Sequence, residues 1–275
     1  MRVAYQGEPG AFSEAAVLRL LPDAEPRPYP TFDEVFDAVS DGSVSLGVVP
    51  IENSIGGSIH RNYDLLVQRE LSIVGEVQVP VVHNLLALPG VRLEEVRRVL
   101  SHPQALAQCA GFLRGLQHVE AIATYDTAGS AKMVRDEQRR DTAAIASERA
   151  GTLFGLEPLR TGIQDYDDNI TRFLAISRQR VPLGPPDKTS LVFTLKSSPG
   201  ALFKALSVFA LREISLSKIE SRPVPGRPWE YVFYADLLCG REKRAEQALN
   251  HLAEFAEFVK VLGIYPTAAS RSKKT

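Results

Sequence analysis

The sequence predicts an α/β protein built in two parts, and three observations carry this reading. Short apolar runs alternate with helix-spaced stretches through the first two thirds of the chain. A proline-rich seam, Arg178-Gln179-Arg180-Val181-Pro182-Leu183-Gly184-Pro185-Pro186-Asp187-Lys188, interrupts that pattern. Beyond it the order changes to strand, helix, strand, strand, helix, strand.

The first part reads as βαβ units. Its apolar runs are Arg2–Tyr5, Leu46–Val49, Ser72–Val79, Val96–Leu100, Glu120–Ala123 and Ala143–Ala146. Between them, 104–116 carries Leu106, Cys109, Ala110 and Leu113 at the spacing of a helix with one buried face. Residues 128–137 and Glu148–Phe154 read as further helices. Such alternation implies a mostly parallel sheet, with ligands bound at the loops leaving the carboxyl ends of the strands. The prolines of the seam suit neither helix nor central strand, so 179–188 is expected to be a linker. After it, 190–195 reads as a strand. Ser198-Pro199-Gly200 opens a helix with Leu202, Leu206, Phe209 and Ala210 on one face. Residues 214–219 and 231–237 read as strands around a Pro/Gly turn, 241–255 as an amphipathic helix and 258–264 as a closing strand. The order βαββαβ is the ferredoxin-like plan. The expected division is a first domain at 1–178, the linker, a second domain at 189–267 and a tail at 268–275, whose basic and polar residues 270–275 are expected to fray.

Composition removes several functional classes. At about 100–200 residues per domain, 275 residues accommodate two. Lys and Arg total 32 against 33 Asp and Glu, so no basic excess points to nucleic acid. No apolar run reaches the ~20 residues of a membrane-spanning helix. Met1–Gly7 runs straight into a strand and turn without a signal-peptide core, which makes the cytoplasm the expected address. Cys109 and Cys239 stand alone in apolar contexts, and the five histidines are scattered. The sequence therefore predicts neither a disulfide framework nor a metal site.

Polar clusters recur at the predicted strand ends. After Leu46–Val49 come Pro50, Ile51, Glu52, Asn53, Ser54 and Gly56-Gly57. After Val96–Leu100 come Ser101-His102-Pro103-Gln104, with Gln108 one turn on. After Glu120–Ala123 come Tyr125-Asp126-Thr127, and Asn169-Ile170-Thr171-Arg172 precedes another apolar run at Phe173. Hydroxyls, amides, glycines and an arginine, with helix N-terminal N–H groups, are what holds a small anion without a metal or cofactor. Each cluster also has a plainer reading. Ser101-His102-Pro103 and Asp126-Thr127 suit helix caps, Glu52-Asn53 suits a solvated turn, and Thr171 suits an ordinary strand. The histidines His83 and His102 read more readily as hydrogen-bonded structural residues than as catalysts. The signal lies in the clusters falling at strand ends together.

Taken in order, these segments resemble the prephenate dehydratase family. The matching stretches are Val3–Gly7 with Gly10–Glu14, Val49–Ser54, Ser101–Cys109, Asp126–Ala128, Ala143–Ser147 and Asn169–Phe173; Thr171-Arg172-Phe173 with its upstream Asn169 is the most diagnostic. The second part resembles an ACT domain of the kind fused to these enzymes, through Gly200-Ala201-Leu202 and Glu220-Ser221-Arg222-Pro223. The resemblance implies a two-lobed catalytic domain of the periplasmic-binding-protein type, lobe one at about 1–76 and 161–178 and lobe two at about 77–160. It implies conversion of prephenate to phenylpyruvate without a cofactor. Thr171 would donate to the departing hydroxyl within a relay. Glu52 would be that relay's acid or would orient Asn53. Asn53, Ser54, Ser101, Gln108, Asn169 and Phe173 would hold the substrate. Arg172 would bind a carboxylate if its side chain faces the cleft. The ACT resemblance implies phenylalanine as effector, at Gly200, Ala201, Leu202, Ser215, Leu216, Glu220, Ser221 and Arg222, and a homodimer or homotetramer. The chain departs from the family where Glu213-Ile214-Ser215-Leu216 replaces Gly-Ile-Asn-Leu. Glu tolerates a positive φ poorly, so an altered effector site is expected.

Two other readings stand beside this one. Leu159–Asp165 and Asp167-Asp168-Asn169 look like the arogenate dehydratase branch, which runs the same chemistry on the transaminated substrate. A two-lobed amino-acid sensor or binding protein shares the implied architecture, because fold does not fix function.

Overall fold

The computed structural model describes residues 1–224 and 226–272. They form two compact units: Met1–Asn62 with Val77–Phe173, and Tyr63–Glu76 with the chain from Leu174 onward.

The first unit contains two sheets. In one, Arg2–Gln6 lies between Glu25–Tyr29 and Leu46–Asn53, all parallel. Helices Phe12–Leu20 and Phe32–Asp41 connect them. The second helix starts where Thr31 Oγ1 accepts from Glu34 N–H and stops at Gly42, whose φ of 86° suits glycine. Between these ends Val35, Phe36 and Val39 form its buried stripe. Glu25–Tyr29 was not legible as a strand. Its Pro26 and Pro28 break any apolar alternation, and the fold confines it to a sheet edge, where prolines are tolerated.

The other sheet runs in the order Glu157–Arg160, Asn84–Ala87, Thr142–Ala146, Arg98–Ser101, Glu120–Ala123. The last three are mutually parallel, whereas the first two join antiparallel. The strands at 84–87 and 157–160 are four residues each, too short to leave a period. Leu85, Leu86, Val99, Ala131, Val134 and Ile145 form the core of this sheet and its helices.

The helix expected over 104–116 is two helices, Pro103–Gln108 and Ala110–Arg114. The break at Cys109 has a cause distant in sequence. Asp165 N–H donates to the Gln108 carbonyl (2.7 Å), and the Asp165 carboxylate accepts from Gly111 N–H (2.9 and 3.1 Å). Asp165 thus takes over bonds that a continuous helix would make internally. Cys109 stays fully buried, and burial pushes its thiol up to about 12, as befits a small apolar residue.

In the second unit, Lys188–Leu195, Ala201–Ala210, Leu216–Val224, Arg227–Leu237, Lys243–Ala253 and Ala256–Tyr265 follow the βαββαβ order. Strand 216–224 pairs with 227–237, that with 188–195, and that with 256–265, all antiparallel. This is the ferredoxin-like arrangement. Pro225 of the expected turn lies outside the described residues. Helix Ala201–Ala210 buries Ala205, Val208 and Phe209, while Leu202 remains 39% exposed. The buried stripe is therefore rotated from the expected 202/206/209/210 face.

Lys188, expected at the end of the linker, opens a strand and is buried there. Its Nζ lies 2.9 Å from both carboxylate oxygens of buried Glu76. The preceding Leu183 is also held, its N–H donating to Val74 O (2.8 Å). After helix Ala201–Ala210, Glu213 N–H donates to Ala210 O and Ile214 N–H to Phe209 O. This Schellman-type closure places Glu213 at φ 53°. The position that demands left-handed backbone is the one where Glu stands, at a cost of roughly 1–2 kcal/mol. The tail expected to fray forms helix Ala268–Ser272; residues 273–275 lie outside the described residues. Among the described residues no helix is long and apolar enough to cross a membrane.

Candidate active site

Within the first unit, a cavity of about 400 Å³ is lined by residues from both sheets. That volume suits a small organic ligand. One side is built from Gln6, Pro50, Asn53, Thr171 and Phe173, with Phe12 and Ser13 from the start of helix Phe12–Leu20. The other comes from the loops and helices that follow strands of the second sheet: His102, Gln104, Gln108, Tyr125, Asp126 and Thr127, together with His83.

Strand alternation decides which side chains reach the cavity. In strand Ile170–Ser177, Thr171 and Phe173 share the cavity face and Arg172 takes the other. In strand Leu46–Asn53, Asn53 lines the cavity and Glu52 does not. The two excluded side chains meet each other, Arg172 Nη2 lying 3.2 Å from Glu52 Oε2. Neither Glu52 nor Arg172 is in the cavity wall, and Glu52 does not orient Asn53. The amide of Asn53 is set by other groups.

Those groups form one hydrogen-bonded network. Asn53 Oδ1 accepts from the N–H groups of Ile55 (3.1 Å) and Gly56 (2.7 Å), which fixes the orientation of the amide. Asn53 Nδ2 donates to Asn169 Oδ1 (2.7 Å) and to Thr171 Oγ1 (3.0 Å). Asn169 Nδ2 donates to Gln108 Oε1 (3.0 Å), which also accepts from His83 Nε2–H (2.9 Å). Gln108 Nε2 is 3.4 Å from Asn53 Oδ1, closing the ring. Asn53, Gln108, Asn169, Thr171 and His83 are all buried. Asn169 sits behind the wall and ties its two sides together. Because Thr171 Oγ1 accepts from Asn53, its own O–H remains available as a donor toward the cavity.

Ser54 has a supporting place. Its Oγ donates to Asp168 O (2.7 Å) and accepts from Ile170 N–H (2.9 Å). It clasps the loop before Thr171 to the end of strand Leu46–Asn53. Ser101 is fully buried and donates to Ile145 O (2.7 Å), so the fold does not bring it to the cavity. In the second unit, Gly200 precedes helix Ala201–Ala210 at φ 75° with Ala201 and Leu202 in its first turn. Ser215 O accepts from Leu238 N–H, and Leu216 begins the next strand. There Glu220 pairs with Lys218 and Arg222 with Asp64, while Ser221 points to the opposite, exposed face.

The sequence reading gave no active-site role to His83, Asp126 or Phe12. His83 is a lone histidine, yet it anchors the amide ring and stacks edge-on against Phe12 at 5.7 Å. Burial holds its imidazole below the ordinary range, with the Gln108 bond opposing weakly. The unfolded chain takes up a proton below about pH 6.5 that folded His83 resists. His83 is therefore expected to leave stability unchanged above that pH and to lower it as pH falls further, by no more than about 1.4 kcal/mol per pH unit. Urea midpoints of the wild type and His83→Gln between pH 7.5 and 5 check this; parallel curves contradict it.

A family model described as prephenate dehydratase matches residues 3–181. The chain belongs to the prephenate dehydratase family. As a member it is an enzyme of the hydro-lyase class. Its relatives include a chloroplastic protein of Arabidopsis thaliana, arogenate dehydratase/prephenate dehydratase 2, which is 50% identical across 97% of this chain and 73% of its own length. A crystal structure of the Arthrobacter aurescens prephenate dehydratase in complex with L-Phe superposes with a TM-score of 0.90 at 31% identity, over 98% of this chain and 91% of that one. A further structure, of GqqA, described as a novel type of quorum quenching acylase, gives 0.89 at 36% identity, over 98% of this chain and 100% of that one.

Proposed function

We propose that this family member catalyses the decarboxylating dehydration of prephenate to phenylpyruvate, or the same reaction on its amino counterpart, arogenate, in phenylalanine biosynthesis. The observation that carries the reading is the Thr171 hydroxyl, whose oxygen is held by Asn53 at 3.0 Å and whose proton is left for the cavity. In the reaction the bond from the ring to its carboxylate breaks, and its electron pair enters the ring. The ring hydroxyl leaves with its bonding pair and, taking one proton, becomes water. One carbon dioxide and one water are released per ring, and the ring becomes aromatic. Hydroxide is a poor leaving group, so a donor hydrogen-bonded to it lowers the barrier. Thr171 supplies that donor, and solvent supplies the proton consumed. Asn53, Gln108 and Phe173 shape the wall against which the ring rests. The N–H groups of Phe12 and Ser13 supply anion donors, because Ala11 offers no side-chain cap to that helix start.

An acylase reading fits this chain less well. Acyl transfer needs a hydroxyl or thiol activated by a neighbouring base. At and around the candidate site, Thr171 Oγ1 meets an amide, Ser54 and Ser101 donate to backbone carbonyls, and Cys109 is buried. Supplying prephenate and arogenate and measuring carbon dioxide and aromatic product tests the reading. Equal amounts of both products are expected, and their absence with both substrates overturns it.

Residues 189–267 of the second unit we read as an ACT regulatory domain, joined through 179–188 to a catalytic domain at 1–178. Its βαββαβ sheet order and the L-Phe held by the Arthrobacter relative support phenylalanine as effector. Such domains pair across a symmetric interface, which supports a homodimer or homotetramer. A cytoplasmic location belongs to the same reading.

A further inference from the structure

Asp126 follows strand Glu120–Ala123 and caps helix Thr127–Glu137. Its Oδ1 accepts from the N–H groups of Ala128 (2.7 Å) and Gly129 (3.0 Å). These bonds use one oxygen. Oδ2 accepts no hydrogen bond among the described residues. It lies where Gly7, at φ 116°, leaves room; a Cβ there would stand 2.8 Å away. A cap needs no cavity exposure, yet Asp126 is among the residues that line the candidate active site.

The charge of the rest of that wall is sparse, and His102 is a partner that favours the charged form of Asp126. Among the described residues no Lys or Arg lines the wall. His102 Nδ1 accepts from Gln104 N–H. His83 is kept neutral by burial. Burial raises the Asp126 carboxyl above its ordinary range, opposed by the Gly129 and Ala128 N–H groups and by His102, with Glu8 adding to the rise. An added cation at Oδ2 would relieve that cost.

We propose that Asp126 is the counter-ion for an ammonium group on the substrate, so that the site prefers arogenate to prephenate. The inference rests on the dehydratase reading and names the substrate class of the same site. The two candidates differ at one carbon. Prephenate presents a keto oxygen, which only accepts and would face another acceptor. Arogenate presents an ammonium with three donors, and its net charge is one unit less negative in a wall that, among the described residues, holds no Lys or Arg.

Asp126→Asn and Asp126→Ser test this, since both residues keep an N-cap acceptor. The readout is kcat/KM on each substrate for the wild type and the two variants. Wild type is expected to favour arogenate by about 10-fold or more, and each variant to lose roughly 10- to 100-fold on arogenate. Any loss on prephenate is expected to be at least about 10-fold smaller than the loss on arogenate, so the ratio collapses. A matching fall on both substrates would mean that Asp126 only caps its helix, and it overturns the proposal. A wild type that favours prephenate also overturns it, while leaving the dehydratase reading intact. A wild type that aromatises neither substrate sinks that reading, and this inference with it.

Discussion

Thr171→Val is expected to lower kcat by about 10²–10⁴-fold while KM stays within about threefold. The substitution removes the O–H that faces the cavity and keeps the branched shape on the strand. It also removes one acceptor of Asn53 Nδ2, but that N–H₂ group retains Asn169 Oδ1 at 2.7 Å and the Ile170 carbonyl at 3.3 Å. No buried donor is left stranded, so the amide ring should hold and the loss should report on chemistry. Thr171→Ser retains the hydroxyl and is expected to keep most of the activity. Steady-state kinetics on the preferred substrate decide it. Unchanged kcat in Thr171→Val removes the hydroxyl from the reaction, and an equal loss in both variants points to packing instead.

The largest stability effect is expected in the second unit, at Lys188 and Glu76. Their side chains are 7% and 2% exposed. Glu76 also accepts from Ala268 N–H (3.1 Å), so the pair secures the strand opening at Lys188 and the start of helix Ala268–Ser272. Removing one partner strands a buried charge. Glu76→Leu is expected to cost about 3–5 kcal/mol, and the double variant Glu76→Leu/Lys188→Met to recover most of that loss. Calorimetric melting of the three proteins checks it. A single variant that melts with the wild type contradicts the account of a desolvated pair.

The candidate site was legible in outline because chemistry in α/β folds collects at strand ends. Asn53, Gln108, Asn169 and Thr171 were each singled out on that ground, and the fold joins them in one hydrogen-bonded ring. Direction was not legible. Alternation says that Thr171 and Arg172 face opposite ways, but not which of them meets the cavity, since nothing local fixes which face of the strand is covered. The Glu52–Arg172 pair follows from that register and needs both strands in place. His83 gave no signal because a single histidine has no spacing. Asp126 gave a cap signal, and it does cap; its place in the cavity wall depends on loops that only the fold brings together. At the level of the fold, the ferredoxin-like order was visible in its periodicity. The break at Cys109 was not, because Asp165 causes it from a distant part of the chain. Glu213 is a case where a local rule held as a cost. The turn requires left-handed backbone, and Glu adopts it because the Schellman bonds to Phe209 and Ala210 carbonyls close the helix there.

The most direct measurement is a crystal structure of the protein with a substrate analogue whose ring is saturated and cannot aromatise. The ring hydroxyl oxygen is expected within about 2.6–3.2 Å of Thr171 Oγ1, with Asn53 Nδ2 still donating to that same oxygen. A ring hydroxyl turned to the opposite wall, with Thr171 Oγ1 bonded to nothing on the ligand, would contradict the account.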